Sequence, residues 1–222
     1  DGRHFGIIQT AAFTQVVDAA LLLEDSPAWT AEDREGLRRW FSEYVSWLGE
    51  SGFGRAEGNW RNNHATWYDV QVSQFATFCG RSEIAEEVLN AAGERRIATQ
   101  IEPGGRMPIE LGRTKTLGYT CYNLRAMFAL CRLGEHFNID LWNYRAPNGA
   151  CVRAALDYVA PYADLDREWP HEQIAPVDRT EELYPLLLRA CRAWGEDGYR
   201  DLLSGLPAEA RLRSRANLLY SV

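Results

Sequence analysis

The sequence predicts an all-α fold built from antiparallel helical hairpins. Apolar residues recur at helical spacing through most of the chain, as at Phe13, Val16, Val17, Ala20, Leu21 and Leu23. No stretch alternates apolar and polar residues for long enough to make a strand. Breaks rich in Gly, Pro and Asn separate the periodic segments, so successive helices are expected to fold back on one another. Amphipathic hairpins repeated along one chain build an (α/α) toroid or a helical bundle, and periodicity alone leaves both open.

The elements follow in order. A first helix is expected over residues 10–24, closed by Pro27. Thr30 suits an N-cap, with Glu32 and Asp33 in the first turn of the helix it opens. That helix runs to about Gly49 and repeats Leu37, Trp40, Phe41, Tyr44, Val45 and Leu48. Residues 50–62, rich in Gly, Ser and Asn, read as a loop. A helix from about Thr66 to Cys79 comes next, then one capped by Ser82 that reaches about Ile101. The run from Glu102 to Pro108 holds Pro103, Gly104 and Gly105 and reads as a second loop. Further helices are expected from about Leu117 to Leu133 and from Ala150 to Val159, then an irregular stretch through Trp169 and Pro170. The last helices fall near 180–193, 197–203 and 207–219.

With 222 residues, 46% of them hydrophobic, the chain can bury one substantial core and is read as a single domain over 1–222. No apolar run approaches the ~18 residues that a membrane span needs, and no signal pattern opens the chain, so no membrane partner is expected. The chain opens on Asp1 rather than Met, as a processed or trimmed N-terminus would. A net charge of −7 argues against a nucleic-acid partner, which usually calls for a basic face. It leaves room for an acidic ligand held by a local cationic pocket. Of the 24 basic residues only Lys115 is a lysine, which fits compositional bias first and carboxylate recognition by Arg second. Five cysteines without a CxxC pair make a zinc site or disulfide framework unexpected, and most are expected to be buried residues of helix faces. No metal and no cofactor is expected, and the chain is expected to be a monomer.

Two loop-to-helix junctions hold the unusual residues. One runs from Asn59 through Trp60, Arg61, Asn62, Asn63, His64, Trp67 and Tyr68 to Asp69. The other runs from Glu110 through Arg113, Lys115 and Tyr119 to Tyr122 and Asn123. Helix starts point backbone N–H groups outward and favour anions. Taken singly, the residues have plainer readings. Asn62 and Asn63 are good N-caps, His64 can be a satisfied polar group, Arg113 a solvated charge, and the tyrosines packing aromatics. Together they suit one reaction. Cutting a uronate chain by elimination removes the C5 proton beside a carboxylate, so the charge developing there must be neutralised. A base must reach C5, and an acid must protonate the leaving oxygen at C4. Asn63 and Arg113 can meet the carboxylate, and His64 and Tyr119 can carry protons.

The run Asn62-Asn63-His64-Ala65-Thr66-Trp67-Tyr68-Asp69 resembles the NNHxxWYD signature of the alginate lyase domain family. Glu110-Leu111-Gly112-Arg113, followed by Tyr119 and by Tyr122-Asn123, is similar to the second signature of that family. Gly6-Ile7-Ile8-Gln9-Thr10, Trp40-Phe41 and Trp47-Leu48 match its opening hairpin, and the resemblance extends from about residue 2 to residue 165. It implies an incomplete (α/α) toroid that cleaves alginate or a related polyuronate such as glucuronan by β-elimination. It also implies roles. Asn63 neutralises the substrate carboxylate, and His64 assists it or serves as base. Arg113 lies beside the catalytic tyrosine, and Tyr119 is the acid and, in syn elimination, also the base. The spacing from Arg113 to Tyr119 is one residue shorter than in some members, which keeps Tyr122 as an alternative phenol. Members carry further helical chain ahead of the point where this one starts. An extracellular polymer as substrate implies a periplasmic or secreted protein.

Around that centre, Trp60 and Trp67, with Trp169 as a weaker candidate, are expected to stack on sugar rings. Arg61, Arg106 and Lys115 are expected to pair with flanking carboxylates, and Asn62 and Tyr122 to contact substrate. His171 has an odd loop setting and no motif. Two rivals remain. An (α/α) glycoside hydrolase would need a carboxylate pair, for which Asp69 and Glu110 are candidates. A non-catalytic carbohydrate-binding protein would keep the Trp and Arg groups without needing proton carriers.

Overall fold

The computed structural model describes residues 2–195 and 197–219. Among the described residues the regular structure is helical, apart from an isolated bridge between Lys115 and Gln173. The all-α class is the one observed. The chain divides into two compact units, Asp1–Ala92 with Ala129–Ile139, and Gly93–Phe128 with Asp140–Val222.

In the first unit, a 3₁₀ segment over His4–Phe13 runs directly into α1 (Thr14–Leu22). Then come α2 (Ala31–Glu50), α3 (Gly52–Gly58), α4 (Asn63–Phe78) and α5 (Ser82–Ala92). Thr30 caps α2 as the sequence suggests, in a reciprocal box with Asp33. Helix α4 lies centrally, packed by α1, α2, α3, α5 and the 3₁₀ segment. The core gathers Ile7, Val17, Phe41, Val45, Leu48, Val72 and Phe75, with Phe137 packed against it. Burying side chains of this size stabilises the unit by roughly 1.5–3 kcal/mol each.

Two expectations change here. Residues 50–62 are not all loop, because α3 forms within them. Ser51 caps it by accepting from the Gly54 N–H at 2.9 Å. Its glycines serve close packing: a Cβ at Gly54 would sit 1.8 Å from the Leu48 carbonyl oxygen, and one at Gly58 2.9 Å from the Tyr68 ring. The sequence reads as loop where the structure packs a helix. The second change concerns His4–Leu22, a continuous helical run of 19 residues with mean hydropathy 1.4. It is long and apolar enough to cross a membrane by length and composition, contrary to the expectation that no run is. Asp18 is its only acidic residue and it has no Lys or Arg, which is why the average stays high. In the fold it is tied to α4: Thr10 donates to Gln71 at 2.5 Å, and Gln74 donates to Asp18 at 3.0 Å. Ile7, Ala11, Val17 and Ala20 are buried, while Val16, Leu21 and Leu22 are exposed.

In the second unit, a π turn over Gly93–Ile97 leads to α6 (Ala98–Gln100) and α7 (Pro108–Leu111). Helix α8 spans Thr116–Glu135, and its residues up to Phe128 belong to this unit. α9 (Val152–Val159), α10 (Arg179–Trp194) and α11 (Asp197–Gly205) follow. The helix expected over 207–219 is split into α12 (Ala208–Arg213) and α13 (Ala216–Leu219), because Ser214 adopts an extended backbone between them. Asp178 caps α10 through the Glu181 N–H at 3.0 Å, and Gly195 ends it in the left-handed region. The rings of Phe128, Trp142 and Trp194 pack edge to face, and Arg125 pairs with Glu182 at 3.1 Å to tie α8 to α10. Cys121, Cys131 and Cys191 are buried on helices, whereas Cys151 is the buried N-cap of α9 and the partly buried Cys79 ends α4, all as free thiols.

Candidate active site

The first junction is built around the start of α4. Asn62 is the N-cap, its Oδ1 accepting from the His64 N–H at 3.1 Å. This places Asn63 and His64 in the first turn. Asn62 and Asn63 are each 2% exposed, whereas the His64 ring reaches solvent. Tyr68, one turn on, donates its hydroxyl to the Leu48 carbonyl at 2.9 Å and packs on Gly58. The tyrosine of the motif thus pins the end of α3 beside the start of α4. Asp69 is buried within α4.

That packing brings in a residue that sequence reasoning missed. Glu57, in the last turn of α3, is 0% exposed and its Oε1 lies 2.7 Å from His64 Nδ1. Its second oxygen has no hydrogen-bond partner. An ionised carboxylate accepts and does not donate, so opposite one Nδ1 is the ring nitrogen that carries a proton. The contact holds the imidazole in one orientation. The signal was hidden because Glu57 falls in the segment that reads as loop.

Beside the dyad, Trp60 stacks on the His64 ring with centroids 5.6 Å apart and remains 43% exposed, a surface fit for a sugar ring. His4 lies against the same indole at 5.8 Å. Trp67 is half-buried in α4, and Arg61 is exposed in the turn ahead of it.

The second junction lies at the start of α8. The Arg113 guanidinium sits 4.3 Å from the Tyr119 ring centroid, over its face. Tyr119 occupies the first turn and is partly exposed. Tyr122 lies one turn further on, and burial pushes its phenol above the ordinary tyrosine value, with Arg125 acting the other way. Asn123 is fully buried and donates to Gln100 Oε1 at 2.8 Å, which ties the end of α6 to α8. Lys115 is exposed, and its backbone bridges Gln173. Arg106 is exposed, with a loose ion pair to Glu102 at 3.8 Å. Trp169 donates its indole N–H to Thr116 Oγ1 at 2.7 Å, so it buttresses the start of α8. Glu110, the other carboxylate a hydrolase would need, is 1% exposed.

Each junction therefore holds its own group of candidate residues: Asn62, Asn63 and His64 with Glu57 and Trp60 in the first unit, Arg113 and Tyr119 in the second. The chain belongs to the alginate lyase family, whose model matches residues 2–169. Among solved structures, an alginate lyase from Bacteroides ovatus is 34% identical and superposes with a TM-score of 0.93. The similarity covers 100% of this chain and 58% of that one. The fold class is accordingly that of the (α/α) toroid lyases. No curated protein sequence matches the chain.

Proposed function

We propose that this chain is a polysaccharide lyase that cleaves alginate or a related polyuronate, such as mannuronan or glucuronan, by β-elimination. The observation that carries the reading is the Glu57–His64 dyad at the head of the family motif. Glu57, 2.7 Å from Nδ1, orients the ring so that Nε2 faces away as the proton acceptor, and its buried carboxylate compensates the charge gained. His64 takes the C5 proton of the uronate, or steadies its carboxylate where the epimer places that proton on the other face. Asn63 supplies the amide that neutralises the developing enediolate charge. Tyr119 protonates the leaving oxygen at C4, and in syn elimination it removes the C5 proton as well. Arg113 lies over the Tyr119 ring and holds it in place.

Trp60 supports a sugar beside His64, and Arg61, Arg106, Trp67 and Lys115 supply flanking contacts. Asn62 acts through the α4 cap, and Tyr122 is the weaker candidate for the phenol because burial disfavours its charged form. An acidic polymer is the partner, met outside the cytoplasm in the periplasm or medium, and the chain works as a monomer without a cofactor. Ultraviolet absorbance with polymannuronate, polyguluronate and glucuronan tests the reading. A rise on any of them reports the conjugated double bond that elimination makes and hydrolysis does not. A saturated new end would point to hydrolysis, and no cleavage to a binding protein.

A further inference from the structure

Three segments of the second unit bring Arg106 together with Tyr158 and His171, two residues that the lyase reading leaves without a role. The first is the loop after α6. Its backbone closes through Glu102 N–H to Arg106 carbonyl at 2.8 Å, with Gly105 at φ +84°. A Cβ at Gly105 would lie 1.9 Å from the Ala154 carbonyl oxygen and 3.0 Å from Tyr158 Cβ. Only glycine lets the loop press this closely on α9, and that seats Arg106 beside Tyr158. The second segment is α9 itself, which presents Tyr158. The third is the strap after Ala163, where the Tyr158 hydroxyl and His171 Nε2 are 2.5 Å apart. Trp169 meets Tyr158, Tyr162 and His171 edge-on, with centroids 4.7–6.1 Å apart. The strap is itself anchored: Thr116 N–H and Oγ1 both donate to the Glu172 carbonyl, at 3.2 and 2.7 Å, and Gln173 Oε1 accepts from Leu117 N–H at 3.1 Å.

The result is a fixed polar face on an aromatic base. Tyr158 and His171 are both part-exposed, so a ligand can reach them. Burial and the Arg106 charge both lower the His171 pKa, so its ring is neutral at neutral pH. With Nε2 engaged by Tyr158, Nδ1 is left to meet a ligand. Arg106 is the charge that acts on both members, whereas Glu102 acts on Tyr158 alone. The Arg106–Glu102 pair is loose, at 3.8 Å with both side chains about half exposed, and such pairs contribute little. A ligand carboxylate can therefore replace Glu102 on the guanidinium and gain a bidentate contact.

We propose that Arg106, Tyr158 and His171, backed by Trp169, form a second uronate-binding subsite that takes the carboxylate and ring hydroxyls of a sugar in the polymer. The proposal rests on the polyuronate reading for its ligand, but it is tested separately from the chemistry.

Binding is measured by calorimetry in a Tyr119→Phe background, using saturated tetrasaccharides of mannuronate, guluronate and glucuronate, with neutral mannotetraose as control. The expected result is that at least one acidic tetrasaccharide binds, and that Arg106→Ala, Tyr158→Phe and His171→Ala each weaken it about five- to twentyfold, on the scale of one or two lost charge-assisted contacts. Tyr158→Phe removes a single hydroxyl, and circular dichroism verifies that each variant is folded. Affinities within twofold of the background, equal losses for mannotetraose, or no binding of any acidic tetrasaccharide would each overturn the subsite. Failure of the lyase reading shows itself elsewhere, as absence of an ultraviolet signal from the unmodified chain, and leaves the binding result to stand.

Discussion

Replacing Glu57 by Gln probes the dyad with the least change of shape. The carboxylate is fully buried, touches His64 Nδ1 at 2.7 Å, and leaves its other oxygen without a hydrogen-bond partner. An amide in its place can turn either end to the imidazole. If the NH₂ faces Nδ1, the ring proton moves to Nε2 and the base is lost. If the carbonyl faces Nδ1, the tautomer is kept, but the compensating charge is gone as His64 takes a proton. Groups that orient a working histidine from behind typically cost 10–100-fold when removed, so the expected fall in kcat is about that, or roughly 1.4–2.8 kcal/mol of barrier. Stability should move the other way. A buried carboxylate with an unsatisfied oxygen is costly, and a neutral isostere relieves it, so the melting temperature is expected to hold or rise. The assay is initial rate by ultraviolet absorbance, with ¹⁵N signals of His64 to read its tautomer. A variant that is folded, as active as the parent within twofold, and unchanged in the His64 signals would refute the orienting role.

Further outcomes follow from the same geometry. Tyr119→Phe and His64→Ala are each expected to lower turnover by at least ~100-fold, the scale for a lost proton-transfer group, whereas Tyr122→Phe should leave turnover near the parent value. Parent-like rates in both of the first two variants would sink the residue assignment. Asn62→Ala removes the α4 cap and should cost about 1 kcal/mol in urea unfolding, with a further loss of activity as the first turn bearing His64 loosens; unchanged stability would show the cap to be idle. His171 supplies a pH test. Burial and Arg106 lower its pKa in the folded state below the ordinary 6.5, so between those two values the unfolded chain binds a proton that the folded one does not. Its contribution to stability is intact above pH ~6.5 and is lost as pH falls below that value through the folded pKa. Urea midpoints between pH 7.5 and 5 should therefore fall less steeply in His171→Gln, and parallel curves would remove His171 as the cause.

Much of the scaffold was legible because helical periodicity and caps are local. Thr30 with Asp33, the long helices α2, α8 and α10, and the loop at Glu102–Pro108 all followed from spacing and from residues with strong backbone preferences. The fold family followed from the motif at Asn62–Asp69, whose residues sit together in the chain because a helix start sets them one turn apart. What stayed hidden depends on contacts between segments. Glycines at 54 and 58 read as loop, yet they stand in α3 where Leu48 and Tyr68 come too close for a side chain. Glu57 looks like any surface acid until α3 packs on α4 and buries it against His64. Tyr158 and His171 are 13 residues apart, joined by an irregular strap that has no period to read. Sequence by itself thus determined most of the elements, the family and the residue types at the two helix starts. Only the tertiary structure decided which buried acid stands behind His64, which aromatic stacks on it, and which distant side chains meet Arg106, because burial and orientation are set by packing across the chain.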